Sequence, residues 1–132
     1  MKKSLLVLSL WVVGQGSLSA EPIKPEYATN LVNAIYRAEG GAKAAYPYGI
    51  IAPRKLSEAE ARRWCFNTVR NNWTRWEAAR SRRGNEAGPL LTSGATPDYL
   101  AFLAARYAPI GAANDPRNLN RNWLKNVRAG LK

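Results

Sequence analysis

Apolar residues recur at intervals of three and four through most of this chain, and no stretch alternates apolar with polar residues convincingly enough to make a strand. That spacing lines apolar side chains along one face of a helix, so the chain is constrained to an all-α fold. Four helices are predicted. The first runs from about Pro25 to Glu39, with Pro25 suited to the first turn, and its core face would be Leu31, Ala34, Ile35 and Ala38. The second opens with Ser57 and Glu60, spaced as a capping box, and is expected to stop at Arg82 or Arg83 because Gly84 follows. Ala61, Cys65, Thr68, Val69, Asn72, Trp76 and Ala79 share one of its faces.

The third helix starts at Thr96-Pro97-Asp98, which supplies a cap, a first-turn proline and an acidic residue where the helix dipole favours one. Tyr99, Leu100, Phe102, Leu103 and Tyr107 make it apolar over most of its circumference, so it is expected to be the central helix. Arg106 falls on the same side, where burial would demand a carboxylate or several carbonyls as partners. Pro109 ends this helix, and Asn120 is a suitable cap for a last one carrying Trp123, Leu124, Val127 and Leu131. Between helices one and two, the loop from Gly40 to Lys55 is expected to form a short hairpin or an irregular wall. Gly84 to Ala95 reads as a polar loop around Pro89-Leu90-Leu91.

Residues 1–20 have the layout of a secretory signal peptide: Lys2 and Lys3, an apolar run from Leu5 to Val13, then small residues ending in Ser17-Leu18-Ser19-Ala20. The apolar run is too short for a membrane span of about twenty residues. Cleavage after Ala20 would leave residues 21–132 as one domain, expected to be a monomer without a transmembrane segment, in a secreted or periplasmic location. Loss of Lys2 and Lys3 lowers the formal charge of +11 by two. So basic a chain is drawn to polyanions, among them anionic cell-wall polymers. Seven arginines between Arg62 and Arg83 give helix two a basic surface, but no nucleic-acid motif accompanies it, so no specific nucleic acid is expected as partner.

Absences narrow the chemistry. With no histidine, the chain has no Ser-His-Asp triad, Cys-His pair or histidine-ligated zinc. Nine acidic residues occur singly, with no calcium-loop pattern and no phosphate loop. No metal and no cofactor are expected. Cys65 is the one cysteine, so there is no intramolecular disulfide, and its place on the core face reads as a buried, inert thiol. Carboxylate chemistry is the option left to an enzyme of this composition.

Glu39 is the carboxylate that stands out. It lies one turn beyond Ile35 and two beyond Val32, so it continues the stripe the helix would bury, and Gly40-Gly41 then end the helix. Both the macrodipole at a helix C-terminus and partial desolvation disfavour the charged form there. A carboxylic acid kept protonated by apolar walls is what a general acid for glycosidic cleavage requires. Tyr46, Tyr48 and Gly49 bring aromatic surface and a tight turn close by in sequence. Trp73, at the edge of the helix-two stripe, is a further candidate platform for a sugar ring, whereas Trp64 and Trp76 read as core. The run holding Tyr107, Asn114, Asn120, Asn122 and Trp123 mixes amides with aromatics, the combination that reads sugar hydroxyls while packing on ring faces.

A helix ending in Glu39, then Gly40-Gly41, then a short loop closing on Gly49-Ile50, resembles the catalytic region of the lysozyme-like superfamily, nearest to lytic transglycosylases and phage-type or goose-type muramidases. The resemblance spans about twenty residues. It departs from the transglycosylase pattern in having Gly40 where a serine usually follows the Glu, and Gly49-Ile50-Ile51-Ala52 where Gly-Leu-Met-Gln is usual. It implies a small lysozyme-like helical domain, Glu39 as the catalytic acid, Gly49 and Ile50 lining the cleft, and Tyr107 as the tyrosine that supports the acid from a late helix. The implied activity is cleavage of the bond between N-acetylmuramic acid and N-acetylglucosamine in peptidoglycan. Asp98 and Asp115 are the late candidates for a second carboxylate, but caps and turns explain both, which favours a single-acid route. A non-catalytic basic protein that binds cell-wall polymers is the alternative, and a membrane-active cationic protein a weaker one.

Overall fold

The computed structural model describes residues 21–86 and 98–132, so the expected leader at 1–20, the Pro89-Leu90-Leu91 loop and Thr96-Pro97 lie outside the described residues. Four helices form: α1 (Pro25–Ala38), α2 (Glu58–Glu86), α3 (Tyr99–Tyr107) and α4 (Trp123–Gly130). Three 3-10 turns join them, at Gly41–Lys43, Pro47–Gly49 and Leu119–Asn122, and there is no strand among the described residues. The all-α expectation holds, and the Gly40–Lys55 loop takes its irregular alternative rather than the hairpin.

The central helix is α1, not α3. Ala28, Leu31, Val32 and Ile35 repeat at three- and four-residue intervals and are almost wholly buried, as is Ala34. That face packs against α2 and, most extensively, α4. The approach to α4 is close, since a Cβ on Gly130 would come within 3.0 Å of the Ala34 Cβ, and Arg37 clamps the end of α4 by donating to the Gly130 carbonyl at 2.6 Å. In α3 only Tyr99 and Leu103 are buried. Nine residues are too few to wrap in neighbours on all sides, and Arg106 escapes to the surface, where its guanidinium stacks on Phe102, 3.8 Å from the ring centroid. Arg106 is therefore not buried with the apolar side of α3 but forms an exposed cation–π pair.

Caps explain the other boundaries. At α2 the predicted box is complete: Glu60 N donates to Ser57 Oγ at 3.2 Å, while Ser57 N donates to Glu60 Oε2 at 3.0 Å. Gly84 does not stop this helix, which continues to Glu86. Asp98 caps α3 by accepting from Ala101 N at 2.9 Å. Asn120 does not cap α4; the preceding 3-10 turn is held instead by Asp115, whose two oxygens accept from Leu119 N and Asn120 N at 2.8 and 2.7 Å.

Cys65 sits fully buried, with its thiol pushed up to about 11 by desolvation. Trp64, expected in the core, is 42% exposed. No described helix is long and apolar enough to cross a membrane.

Candidate active site

The C-terminus of α1, the Pro47–Gly49 turn, the C-terminus of α3 and the N-terminus of α4 converge on Glu39. Residue 39 occupies the next place on the stripe that Ala28, Leu31, Val32 and Ile35 bury, so its side chain is carried inward. It is the C-cap of α1, and Gly40 follows in the left-handed conformation at φ 102°, which a glycine adopts without a Cβ penalty. This reverses the chain and leaves the carboxyl half-buried in a wall built by other elements.

Trp123 supplies the decisive contact, its indole Nε1 donating to Glu39 Oε1 at 2.8 Å across 84 residues of chain. Trp123 is buried and stacks on Tyr107, with ring centroids 5.2 Å apart and an interplanar angle of 27°. Gly49 closes the opposite side. Its φ of 67° requires a residue at ease in the left-handed region, and a Cβ there would lie 2.5 Å from the Glu39 carboxyl carbon. Only a glycine lets the turn press its backbone against the acid.

Burial is the larger influence on Glu39 and raises its pKa above the ordinary glutamate value, while the Trp123 N–H, which favours the ionised form, offsets part of the rise. With Oε1 engaged by a donor, a carboxylic proton belongs on Oε2. Two grooves open beside the carboxyl. One of about 260 Å³ is lined by Glu39, Tyr46, Gly49, Ile51, Tyr107, Asn114 and Asn120 among others. The second, of about 290 Å³, is lined by Glu39, Leu119, Asn120, Asn122, Trp123 and Asn126 with Ala38. Among the described residues, Glu39 is the sole acidic one lining either groove. Exposed Tyr46, Ile51 and Leu119 give these grooves apolar rims, and the amides of Asn114, Asn120, Asn122 and Asn126 give them donors and acceptors.

The sequence candidates divide accordingly. Tyr46, Gly49, Tyr107 and Asn122 gather around Glu39. Tyr48 does not offer its ring to a ligand: it adopts φ 58°, is 2% exposed, and its hydroxyl accepts from Arg62 Nη1 at 3.1 Å. Ile50 is half-buried and faces a neighbouring groove of about 520 Å³ bounded by Tyr46, Pro53, Arg54, Lys55 and Leu56. Trp73 lies elsewhere, in an aromatic cluster with Tyr27, Trp76 and Tyr99, and donates to the Glu21 carbonyl at 2.8 Å. Its edge position on α2 is answered by other rings rather than by a cleft.

Tyr107 lines the site beside the acid, but its hydroxyl donates to the Tyr48 carbonyl and so fixes the turn that carries Gly49. The donor to Glu39 is Trp123, which the sequence offered only as a core and sugar-reading residue. A buried indole must find an acceptor, but an 84-residue separation conceals which one. Asp98 is occupied by its cap and by Arg128 at 2.6 Å, and Asp115 by two backbone amides, so neither stands opposite Glu39. No cluster of residues able to hold a metal ion occurs among the described residues. Compared with protein-family models, curated proteins and solved structures, the chain has no match.

Proposed function

We propose that this protein cleaves the glycosidic bond between N-acetylmuramic acid and N-acetylglucosamine in peptidoglycan, with Glu39 as the one catalytic carboxyl. The observation that carries the reading is a half-buried Glu39, raised in pKa, at the meeting of two amide-lined grooves. A saccharide lying across both grooves would put a glycosidic oxygen beside Oε2.

Protonated Glu39 gives its proton to the leaving oxygen as the bond to the anomeric carbon breaks. The resulting carboxylate then removes the proton of the sugar's own 6-hydroxyl as that oxygen attacks the anomeric carbon, closing an anhydro ring and restoring the acid. A hydrolase with two carboxylates would need a partner roughly 5 to 9.5 Å from the first. The described residues lining the grooves include none, which favours the lytic transglycosylase route. The expected setting is outside the cytoplasm, with the basic charge drawing the protein to anionic wall polymers.

Incubating purified protein and its Glu39→Gln variant with peptidoglycan, then analysing the released muropeptides by mass, tests this. Anhydro-ended products from the wild type alone are expected, and reducing ends would make it a hydrolase. No release from either protein, with retained pull-down on the wall, would replace catalysis by binding.

A further inference from the structure

A cleft of about 590 Å³ separate from Glu39 opens between α2 and α3, lined by Thr74, Arg75, Ala78, Ala79, Arg82, Phe102 and Arg106. Its floor is small and apolar, three guanidiniums stand around it, and no acidic residue is among the described residues that line it. Two other arginines of α2 are differently disposed. Arg62 turns inward to Asn33 and Tyr48, and Arg80 pairs with Glu77 at 3.0 Å. Arg75 and Arg82 lie seven residues apart on one face, about 10 Å along the helix axis, and Arg106 faces them from α3.

Three like charges around one concavity repel each other unless an anion sits among them. Stacking on Phe102 occupies the face of the Arg106 guanidinium and leaves its edge N–H groups to donate, the arrangement that meets phosphate oxygens in pairs. We propose that this cleft binds a phosphodiester chain with small, non-aromatic spacers, such as a polyol phosphate. Two arginines about 10 Å apart suit successive phosphates better than a single ion. Phe102 is the one ring among the described residues of the cleft and Arg106 covers it, so a base of a nucleic acid finds no free platform there to stack on. Among the described residues the large exposed apolar ones, Tyr46, Ile51, Trp64, Ile110 and Leu119, all lie outside this cleft, so none of them offers a membrane an anchor beside it.

Arginine side-chain N–H resonances, followed by NMR during titration with inorganic phosphate and with a glycerol-phosphate oligomer, read the site directly and without reference to catalysis. Saturable shifts at Arg75, Arg82 and Arg106 are expected, with the oligomer binding at least tenfold more tightly than inorganic phosphate. Arg106→Gln should weaken oligomer binding about tenfold. Arg63→Gln, an equal change of charge at an exposed residue of α2 outside the cleft, should leave it within about twofold. Thermal melts of both variants establish that they remain folded, and Arg75→Gln repeats the test should Arg106→Gln not fold. Equal weakening by Arg63→Gln, absence of saturable shifts, an oligonucleotide of matched charge binding more tightly than the oligomer, or binding only to phosphatidylglycerol vesicles would each overturn the proposal.

Discussion

Glu39 is held at a cost to stability, because a carboxyl that burial disfavours in its charged form makes the folded state bind a proton more tightly than the unfolded chain does. Between the ordinary glutamate pKa and the raised one, the folded state carries more proton, so stability falls as pH rises through that window. Glu39→Gln keeps the shape and an oxygen for the Trp123 N–H but removes the charge. Its melting temperature is therefore expected to exceed the wild type's at pH 7, with the gap closing below about pH 4.3. A wild type as stable as the variant at neutral pH would mean the acid is not desolvated in solution. Trp123→Phe removes the indole donor to Oε1 while keeping a ring beside Tyr107. Because that hydrogen bond lowers the pKa, its loss should raise it further, seen as a later carboxyl titration by NMR and a basic limb of the pH-rate profile moved to higher pH. Gly49→Ala combines a φ of 67° with a Cβ 2.5 Å from the carboxyl carbon. A loss of about 1–3 kcal/mol in urea unfolding is expected, together with loss of cleavage as the acid is displaced.

The elements owe their positions to short-range signals of uneven strength. At α2, Ser57 and Glu60 satisfy each other's backbone donors, and Arg54 adds a pair of bonds to the same carboxylate at 3.2 and 2.7 Å. Arg54, with the Ser57 groups, holds the Glu60 carboxyl down to about 2. The stabilisation it lends is present above the ordinary glutamate range and is lost as pH falls towards 2. Ser57→Ala is expected to cost about 1 kcal/mol in chemical unfolding at neutral pH. The Ser57–Glu60 box, together with the α1 stripe and Glu39 at its end, can be read in the sequence because the partners lie within four residues. The Trp123–Glu39 contact and the burial of Tyr48 depend on residues brought from far along the chain, and no local pattern encodes them. The apolar surround of α3 misleads for a related reason: Phe102 is matched by Arg106 one turn away, so its ring is covered by a cation rather than by the core. Gly84 within α2 likewise has the local signature of a stop but is overridden by the helix around it.

At the scale of the whole molecule, the chain sets 20 lysines and arginines against 9 acids and confines its candidate acid to one region and its open arginine cleft to another. Attraction to a polyanion is carried by exposed cations and is screened once the Debye length shrinks, from about 10 Å at 0.1 M salt to about 3 Å at 1 M. The proton held on Glu39 depends instead on desolvation, partly offset by the Trp123 hydrogen bond at 2.8 Å, and salt screens both far less. Adhesion and chemistry should therefore part company. Raising sodium chloride from about 0.05 to 0.5 M is expected to release both wild type and Glu39→Gln from peptidoglycan carrying anionic polymers. Cleavage of a short, uncharged saccharide by the wild type should change by less than about twofold over the same range. Co-sedimentation measures the first and product analysis the second. A parallel loss of both would mean that the long-range field, and not the acid in its wall of Gly49 and Trp123, limits the reaction.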